Sequence, residues 1–207
     1  MARDVASTSE GAAERILEAA CDLIAAEGID EVRIARVARR AGASTALVHH
    51  YFSTREELLE QALVHSFEQA GDERFQRPAG IPETAIEALA RGIGECLPLP
   101  GRQEREWVLW VELWLRAVRE PELRPVAARL YRRYRDWMMG LIEAGVATGE
   151  FRAGVDAEAI ADVAMALLDG LGVRALIADP AMDVEAAQRL VAERLAAELG
   201  LDPRALA

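Results

Sequence analysis

With 207 residues, 52% of them hydrophobic and 29% charged, the chain has room for a small module joined to a larger body and the composition of a folded globular protein, which excludes a disordered one. Its net charge of −11 excludes nucleic-acid binding through a generally basic surface, so such a function would need basic residues gathered in one place. No stretch approaches the roughly 18 apolar residues of a membrane span, and Met1 to Ala12 lacks the basic-then-apolar pattern of a signal peptide; no membrane partner and a cytoplasmic location are expected.

Almost every segment reads at a helical period, so the fold class is all-α, with about nine helices. The first runs from about Ser9 to Glu27, with Ile16, Ala20, Leu23 and Ile24 on one face and Gly28 as a glycine stop. Cys21 on this helix and Cys96 far along the chain sit in apolar helical patterns, as buried thiols do and zinc or disulfide cysteines do not; no metal and no cofactor are expected. A short helix over Ile34 to Ala41 ends at Gly42, and Ser44 caps another over Thr45 to Phe52. In Ser53-Thr54-Arg55-Glu56-Glu57 either hydroxyl residue has a Glu three positions on, the capping box that starts a fourth helix running to Phe75.

Gln76 to Pro82, with Pro78, Gly80 and Pro82, reads as the boundary loop. Beyond it helices are predicted at Glu83 to Leu97, Gln103 to Val118, Glu122 to Thr148, Ala157 to Ala178 and Val184 to Gly200, with Asp156 and Asp183 as caps. Trp107, Trp110 and Trp114 form a stripe at i, i+3 and i+7, and Tyr131, Tyr134 and Met138 repeat that spacing one helix later. Such stripes build cores; aromatics with polar edges on adjacent helices also line pockets for cationic or flat organic ligands. His65, Phe67 and Cys96 are lesser candidates for the same pocket. Glu112 is expected to pair with Arg116 at i+4, and Asp169 to be a buried charge paired with Arg174 or across an interface. The last two helices are rich in small residues, among them Ala161, Ala164, Gly172, Ala187, Ala192 and Ala196, which let helices pack closely.

Residues 34 to 52 have the spacing of a helix-turn-helix. Their apolar positions Ile34, Val37, Ala38, Val48 and Phe52 would pack on the first and fourth helices, which leaves Thr45, Ala46, Leu47, His49, His50 and Tyr51 on the outer surface. Small residues at the start of the second helix let its end approach base edges, while hydroxyls, imidazoles and Arg reach phosphates. From Arg33 to Arg55 the chain carries Arg33, Arg36, Arg39, Arg40 and Arg55 and no carboxylate, a local +5 in a chain with no lysine.

Ile16-Leu17-Glu18-Ala19-Ala20 leading to Gly28, then Val37-Ala38-Arg39-Arg40-Ala41-Gly42-Ala43-Ser44, then His50-Tyr51-Phe52-Ser53-Thr54-Arg55-Glu56-Glu57-Leu58-Leu59 resemble the TetR family of repressors, and Tyr51-Phe52 after two histidines resembles its BetI-like branch. The resemblance covers about the first quarter of the chain. It implies a helix-turn-helix DNA-binding domain over residues 1–59, the fourth helix (55–75) as connector, and a ligand-binding and dimerisation domain over 60–207. It also implies that Thr45, Ala46, Leu47 and His50 face bases, that Ser44, His49, Tyr51 and Arg55 face phosphates, and that the last two helices form a homodimer. Arg33 stands where the family has a capping Thr, so that cap is expected to be missing although Arg can still meet a phosphate; His49 stands where Tyr is common.

The expected function is therefore a ligand-responsive transcriptional repressor whose partners are a palindromic double-stranded DNA operator and a small-molecule effector. A helical enzyme would need a nucleophile with an adjacent base, a metal cluster or a phosphate loop, none of which the sequence offers. A helical ligand-binding or protein-interaction module without DNA affinity is the other alternative.

Overall fold

The computed structural model describes residues 2–75 and 83–206, with side chains from Gly11 onward. Among the described residues there are nine α-helices, two 3-10 turns and no strand. The stretch 76–82, expected as the boundary loop, lies outside them. Packing gathers the chain into two compact units, Met1–Ala70 with Val108–Ala127 and Gly71–Trp107 with Ala128–Ala207. The expected boundary after residue 59 rested on the motif alone; packing keeps the following helix in the first unit as far as Ala70.

In the first unit, α1 spans Ala2–Glu27, beginning well before the predicted Ser9, and stops at Gly28, whose positive φ of 84° suits glycine. A 3-10 turn at Ile29–Glu31 leads to α2 (Ile34–Ala41). Gly42 follows in the left-handed conformation, φ 63°, with the Ala43 N–H bonded to the Ala38 carbonyl at 2.9 Å, which satisfies the end of α2 and reverses the chain. Next come α3 (Thr45–Tyr51) and α4 (Arg55–Phe75). Thr54 caps α4 by accepting from the Glu57 N–H at 3.0 Å, and the Glu57 carboxylate accepts from the Ser53 N–H at 2.8 Å, so both hydroxyl residues of the predicted box take part. Ile16, Ala20, Ile24, Val37, Val48, Leu58 and Leu59 are fully buried. Ile34, expected in this core, is only half-buried.

The second unit holds α5 (Ala85–Glu95), the start of α6 (Arg102–Arg119), most of α7 (Arg124–Thr148), α8 (Ala157–Leu176) and α9 (Val184–Leu199). Thr84 and Glu87 form a reciprocal capping box, which starts α5 later than the predicted Glu83. Asp156 and Asp183 cap α8 and α9 as expected, accepting from the N–H of Ala159 (3.0 Å) and Ala186 (2.7 Å). Ala161, Ala164 and Leu168 of α8 and Ala187, Val191, Ala192, Leu195 and Ala196 of α9 share one core with Leu89, Ile93, Met138 and Ile142. Small side chains let these helices approach closely, and the apolar area removed from water there contributes about 25 cal/mol per Å².

Gly145 on α7 is a close-approach position, because a Cβ there would overlap the ring of buried Phe151. Gly145→Ala is expected to destabilise the protein by about 1–3 kcal/mol through overpacking, read as a lower midpoint in thermal or urea unfolding; an unchanged midpoint would show that the ring moves aside freely.

Candidate functional site

Helix α3 is positioned from below. Val48 and Phe52 are 0% and 2% exposed, and on a seven-residue helix two buried side chains one turn apart decide which way every other residue points. Ser44, Thr45, Ala46, His49 and His50 are consequently exposed, while Leu47 and Tyr51 are half-buried. Ser44 Oγ accepts from the Leu47 N–H at 3.1 Å, the predicted cap. The His50 and Tyr51 rings meet edge to face with centroids 5.1 Å apart. Arg33 occupies the N-cap of α2 without a side-chain cap bond, as its identity implied; its guanidinium donates instead to the carbonyls of Asp30 (2.5 Å) and Val32 (3.3 Å).

The arginine-rich stretch is less free than its sequence suggested. Arg36 is paired with Glu27, and Arg40 donates to Asp22 at 2.7 and 2.9 Å, so two of the five charges are answered by α1. Arg55, expected to face a phosphate, turns inward: Nε donates to the Val32 carbonyl at 2.7 Å and Nη2 to those of Ile29 (2.7 Å) and Asp30 (3.1 Å). These carbonyls sit in the turn before α2, where the Ile29 carbonyl has a long 3.4 Å backbone bond from the Val32 N–H and the guanidinium supplies shorter ones. Arg55 thus ties the start of α4 to the loop that presents α2 and α3. Arg39 is exposed and, among the described residues, makes no ion pair. The pairing by α1 was hidden from a linear reading because Asp22 and Glu27 lie outside the stretch.

The six aromatic-stripe residues divide between the units. In the first, Trp110 stacks on Phe67 with centroids 3.9 Å apart and meets Trp114 at 5.2 Å. His65 there lies 3.3 Å from a Glu18 oxygen, and Arg116, expected to pair with Glu112, meets Glu120 at 3.2 Å. In the second, Trp107 is buried, donates from Nε1 to the Cys96 carbonyl at 3.2 Å, and lies so close over Gly172 that a Cβ there would overlap the indole. Tyr134 is buried and accepts from Arg74 at 3.0 Å, while Met138 is wholly inside the core. Burial pushes the Cys96 thiol up to about 12, an inert thiol. Trp137, outside the predicted stripe, borders a cavity of about 220 Å³ with Phe75, Ala88, Arg91 and Leu141; its offset of three from Tyr134 was the available signal.

Tyr131 donates to the Asp169 carboxylate at 2.6 Å. The expected partner, Arg174, pairs instead with Asp179 at 2.7 Å, because the end of α8 brings that acid round to it. Burial pushes Asp169 up to about 6, with the Tyr131 hydrogen bond opposing the shift. The same burial raises Tyr131 above the ordinary phenol range, and its bond to the carboxylate adds to the rise.

Two expectations follow. Arg55→Ala removes the 2.7 Å donors of the Ile29 and Val32 carbonyls and leaves them only the longer bonds from the Val32 N–H (3.4 Å) and Arg33 (3.3 Å); this is expected to cost about 1–3 kcal/mol, seen in chemical unfolding, and no loss would mean that water replaces the guanidinium. Asp169 in the folded chain holds its proton to about 6, above its unfolded value, so the stability it allows is present at low pH and is lost as pH rises from about 4 through 6. In melts across that range the wild type should fall away from Asp169→Asn, the gap opening toward neutrality; a gap independent of pH would contradict the assignment.

Residues 16–62 match the model of bacterial regulatory proteins of the tetR family, and residues 85–200, more than half of the chain, match that of the BetI-type transcriptional repressor C-terminal domain. The HTH-type transcriptional regulator BetI of Rhizobium meliloti (strain 1021) is 27% identical over 89% of this chain and 87% of its own length. Among solved structures, a transcriptional regulator from Saccharomonospora viridis in complex with choline has a TM-score of 0.77 and 31% identity, covering 88% of this chain and 94% of that one. A TetR-family regulator from Rhodococcus sp. has a TM-score of 0.76 and 28% identity, covering 91% and 98%. These relatives are regulators and not enzymes, and the helix-turn-helix, the helical body and both family matches agree: the chain belongs to the TetR family of ligand-responsive transcriptional regulators, with a BetI-type repressor C-terminal domain.

Proposed function

We propose that the protein represses transcription as a homodimer joined through α8 and α9, each protomer placing α3 in a major groove of a palindromic operator. Residues 1–59 act as the DNA-binding domain, α4 as connector, and 60–207 as the effector-binding and dimerisation domain. The observation that carries the reading is the outward row on α3, with Thr45, Ala46 and His50 exposed above an anchored Val48 and Phe52. Thr45, Ala46, Leu47 and His50 read base edges, and Ser44, His49, Tyr51 and Arg33 meet phosphates. Arg55 acts on the same surface by holding the loop before α2. Val163 on α8 and Leu190 on α9, 37% and 45% exposed, are apolar side chains that a two-fold partner would cover, as in a four-helix bundle interface.

The effector is a small organic cation. The choline complex of the Saccharomonospora viridis regulator supports this, as do the aromatic rings of Trp107, Tyr131 and Tyr134 in the second unit, which offer faces for cation–π contact. Trp110 and Trp114 in the first unit are further aromatic candidates, and Met138 supports the Tyr131 and Tyr134 helix from the core. The effector releases DNA by binding better to a conformation whose two reading helices no longer match half-sites about 34–36 Å apart.

Selection of fragments from random duplex DNA at two salt concentrations tests the reading. A palindromic consensus is expected, with affinity falling steeply with salt. His50→Ala should change preference at one position by about 1–3 kcal/mol, and Arg39→Ala should lower affinity for all sequences and flatten the salt dependence. Absence of enrichment at low salt would overturn the repressor assignment.

A further inference from the structure

Between Trp107 and Val118, α6 carries only two charged side chains, Glu112 and Arg116. This half of the helix is therefore apolar nearly all the way round, the pattern of a helix covered on every side. Its inner face is covered: Leu109, Leu113 and Ala117 are 1%, 1% and 8% exposed. The opposite face, formed by Val108, Val111, Leu115 and Val118, is open. Val108 and Val111 are half-buried, Leu115 is 44% exposed, and Val118, at 71%, is the most exposed large apolar side chain among the described residues. The whole row belongs to the first unit, on its segment Val108–Ala127. A contiguous exposed apolar row on a folded protein marks a surface that meets a partner.

The spacing and the flanking charges say which partner. The steps from Val108 to Val111, Leu115 and Val118 are three, four and three residues, the a and d positions of a heptad seam, and such a seam fits another helix of the same kind. Glu112 and Arg119 flank the seam one heptad apart on the same side, at e positions. When two copies of α6 meet antiparallel about a two-fold axis between Arg116 and Ala117, Leu115 of each faces Val118 of the other, and Glu112 of each faces Arg119 of the other. Opposite charges then close both ends of the most exposed part of the seam. In a parallel pair the e positions would meet Trp107 and Trp114 instead, and the charges would find no partner. The face is thus complementary to itself, which a two-fold contact requires.

We propose that this face is a second contact between copies of the chain, apart from α8 and α9, in which the two α6 helices pair antiparallel through Leu115 and Val118 and tether one first unit to the other. The seam is short, so it acts between protomers already held together, where the second contact forms within one assembly. The first unit contains α1 to α3, and the tether limits how far one copy's α3 can move from its mate's. This proposal rests on the homodimer reading and needs no DNA.

The test introduces Leu115→Cys into the full-length chain, treats it with a short bis-maleimide and reads the covalent dimer on a denaturing gel, with size-exclusion chromatography alongside. The native thiols do not compete, since Cys21 is buried and burial pushes Cys96 up to about 12. Leu115→Cys is expected to cross-link roughly tenfold more than Gln69→Cys on α4, because the second maleimide step becomes intramolecular where two copies touch; Gln69 is likewise exposed. Adding Val118→Ser, at a position too exposed to matter to the fold, should cut the yield severalfold. Adding Glu112→Arg should cut it as well, and a further Arg119→Glu should restore it, a recovery that mere loosening of the structure would not give. If the protein elutes as a dimer and Leu115→Cys cross-links no better than Gln69→Cys, or if Val118→Ser leaves the yield unchanged, the α6 contact is wrong and the homodimer reading stands. A wild type that elutes as a monomer would defeat the homodimer reading and this contact with it.

Discussion

The surface proposed to read DNA depends on the burial of two side chains, Val48 and Phe52. Helix α3 has seven residues, well under the roughly 12–15 at which an isolated helix begins to hold in water. Its Ser44 cap is worth about 1 kcal/mol, enough to start it but not to sustain it. What sustains it is the apolar contact beneath, since each fully buried large apolar side chain contributes about 1.5–3 kcal/mol. The same burial sets the rotation of the helix, and with it the row Thr45, Ala46, His49 and His50 on the outer side. Arg55 completes the support from another direction, binding the carbonyls of the turn that leads into α2. Affinity and fold are therefore joined in this segment: a side chain that never meets a base can still decide where the bases are met.

Two carboxylates in the second unit, buried Glu106 and half-buried Asp169, show opposite solutions to one problem. Arg74 and Glu106, each 7% exposed, lie in a network in which Arg74 donates to the Glu95 carbonyl at 2.8 Å and to Tyr134 at 3.0 Å as well as to Glu106. Such a pair holds because its donors are satisfied, and removal of either partner would strand a charge, which typically costs about 3–5 kcal/mol. Asp169 has a hydroxyl and no cation. Proteins break the rule of internal pairing chiefly where function asks for it. That contrast lies within one helical unit, between a pair shut away from water and a carboxylate that is half-buried.

Much of this was readable in the sequence where a local rule decides the outcome. Gly28, Gly42, Ser44, Asp156 and Asp183 act as stops and caps in the structure as their identities implied, because capping and left-handed turns involve only a few neighbouring residues. Thr84 was missed as a cap, although Glu87 three residues on was its signature. The partners of charges were the least legible feature. Arg36 and Arg40 find carboxylates on α1, Arg55 finds carbonyls, Asp169 finds a tyrosine on α7 and Arg174 an acid past the end of its own helix. Periodicity says which face a residue occupies, whereas a long flexible arginine chooses among several groups within reach, and that choice depends on how the helices pack. The aromatic stripes were correctly placed on their helices, but no pattern within one helix could show that the six residues would divide between two packing units.

The α1 carboxylates bear on how such a protein would tell an operator from the rest of the genome. Attraction to phosphates is independent of sequence and grows with each uncompensated cation, so five free arginines would strengthen binding everywhere. Pairing Arg36 with Glu27 and Arg40 with Asp22 mutes that general attraction. These pairs are exposed and hence weak, about 0–1 kcal/mol each, so a well-placed phosphate can draw the arginines away when α3 is already seated in its groove. Badly placed phosphates gain less. If α3 reads DNA as proposed, the acid on α1 would shift the balance of affinity from the backbone toward the base edges assigned to Thr45, Ala46 and His50, favouring specificity over strength.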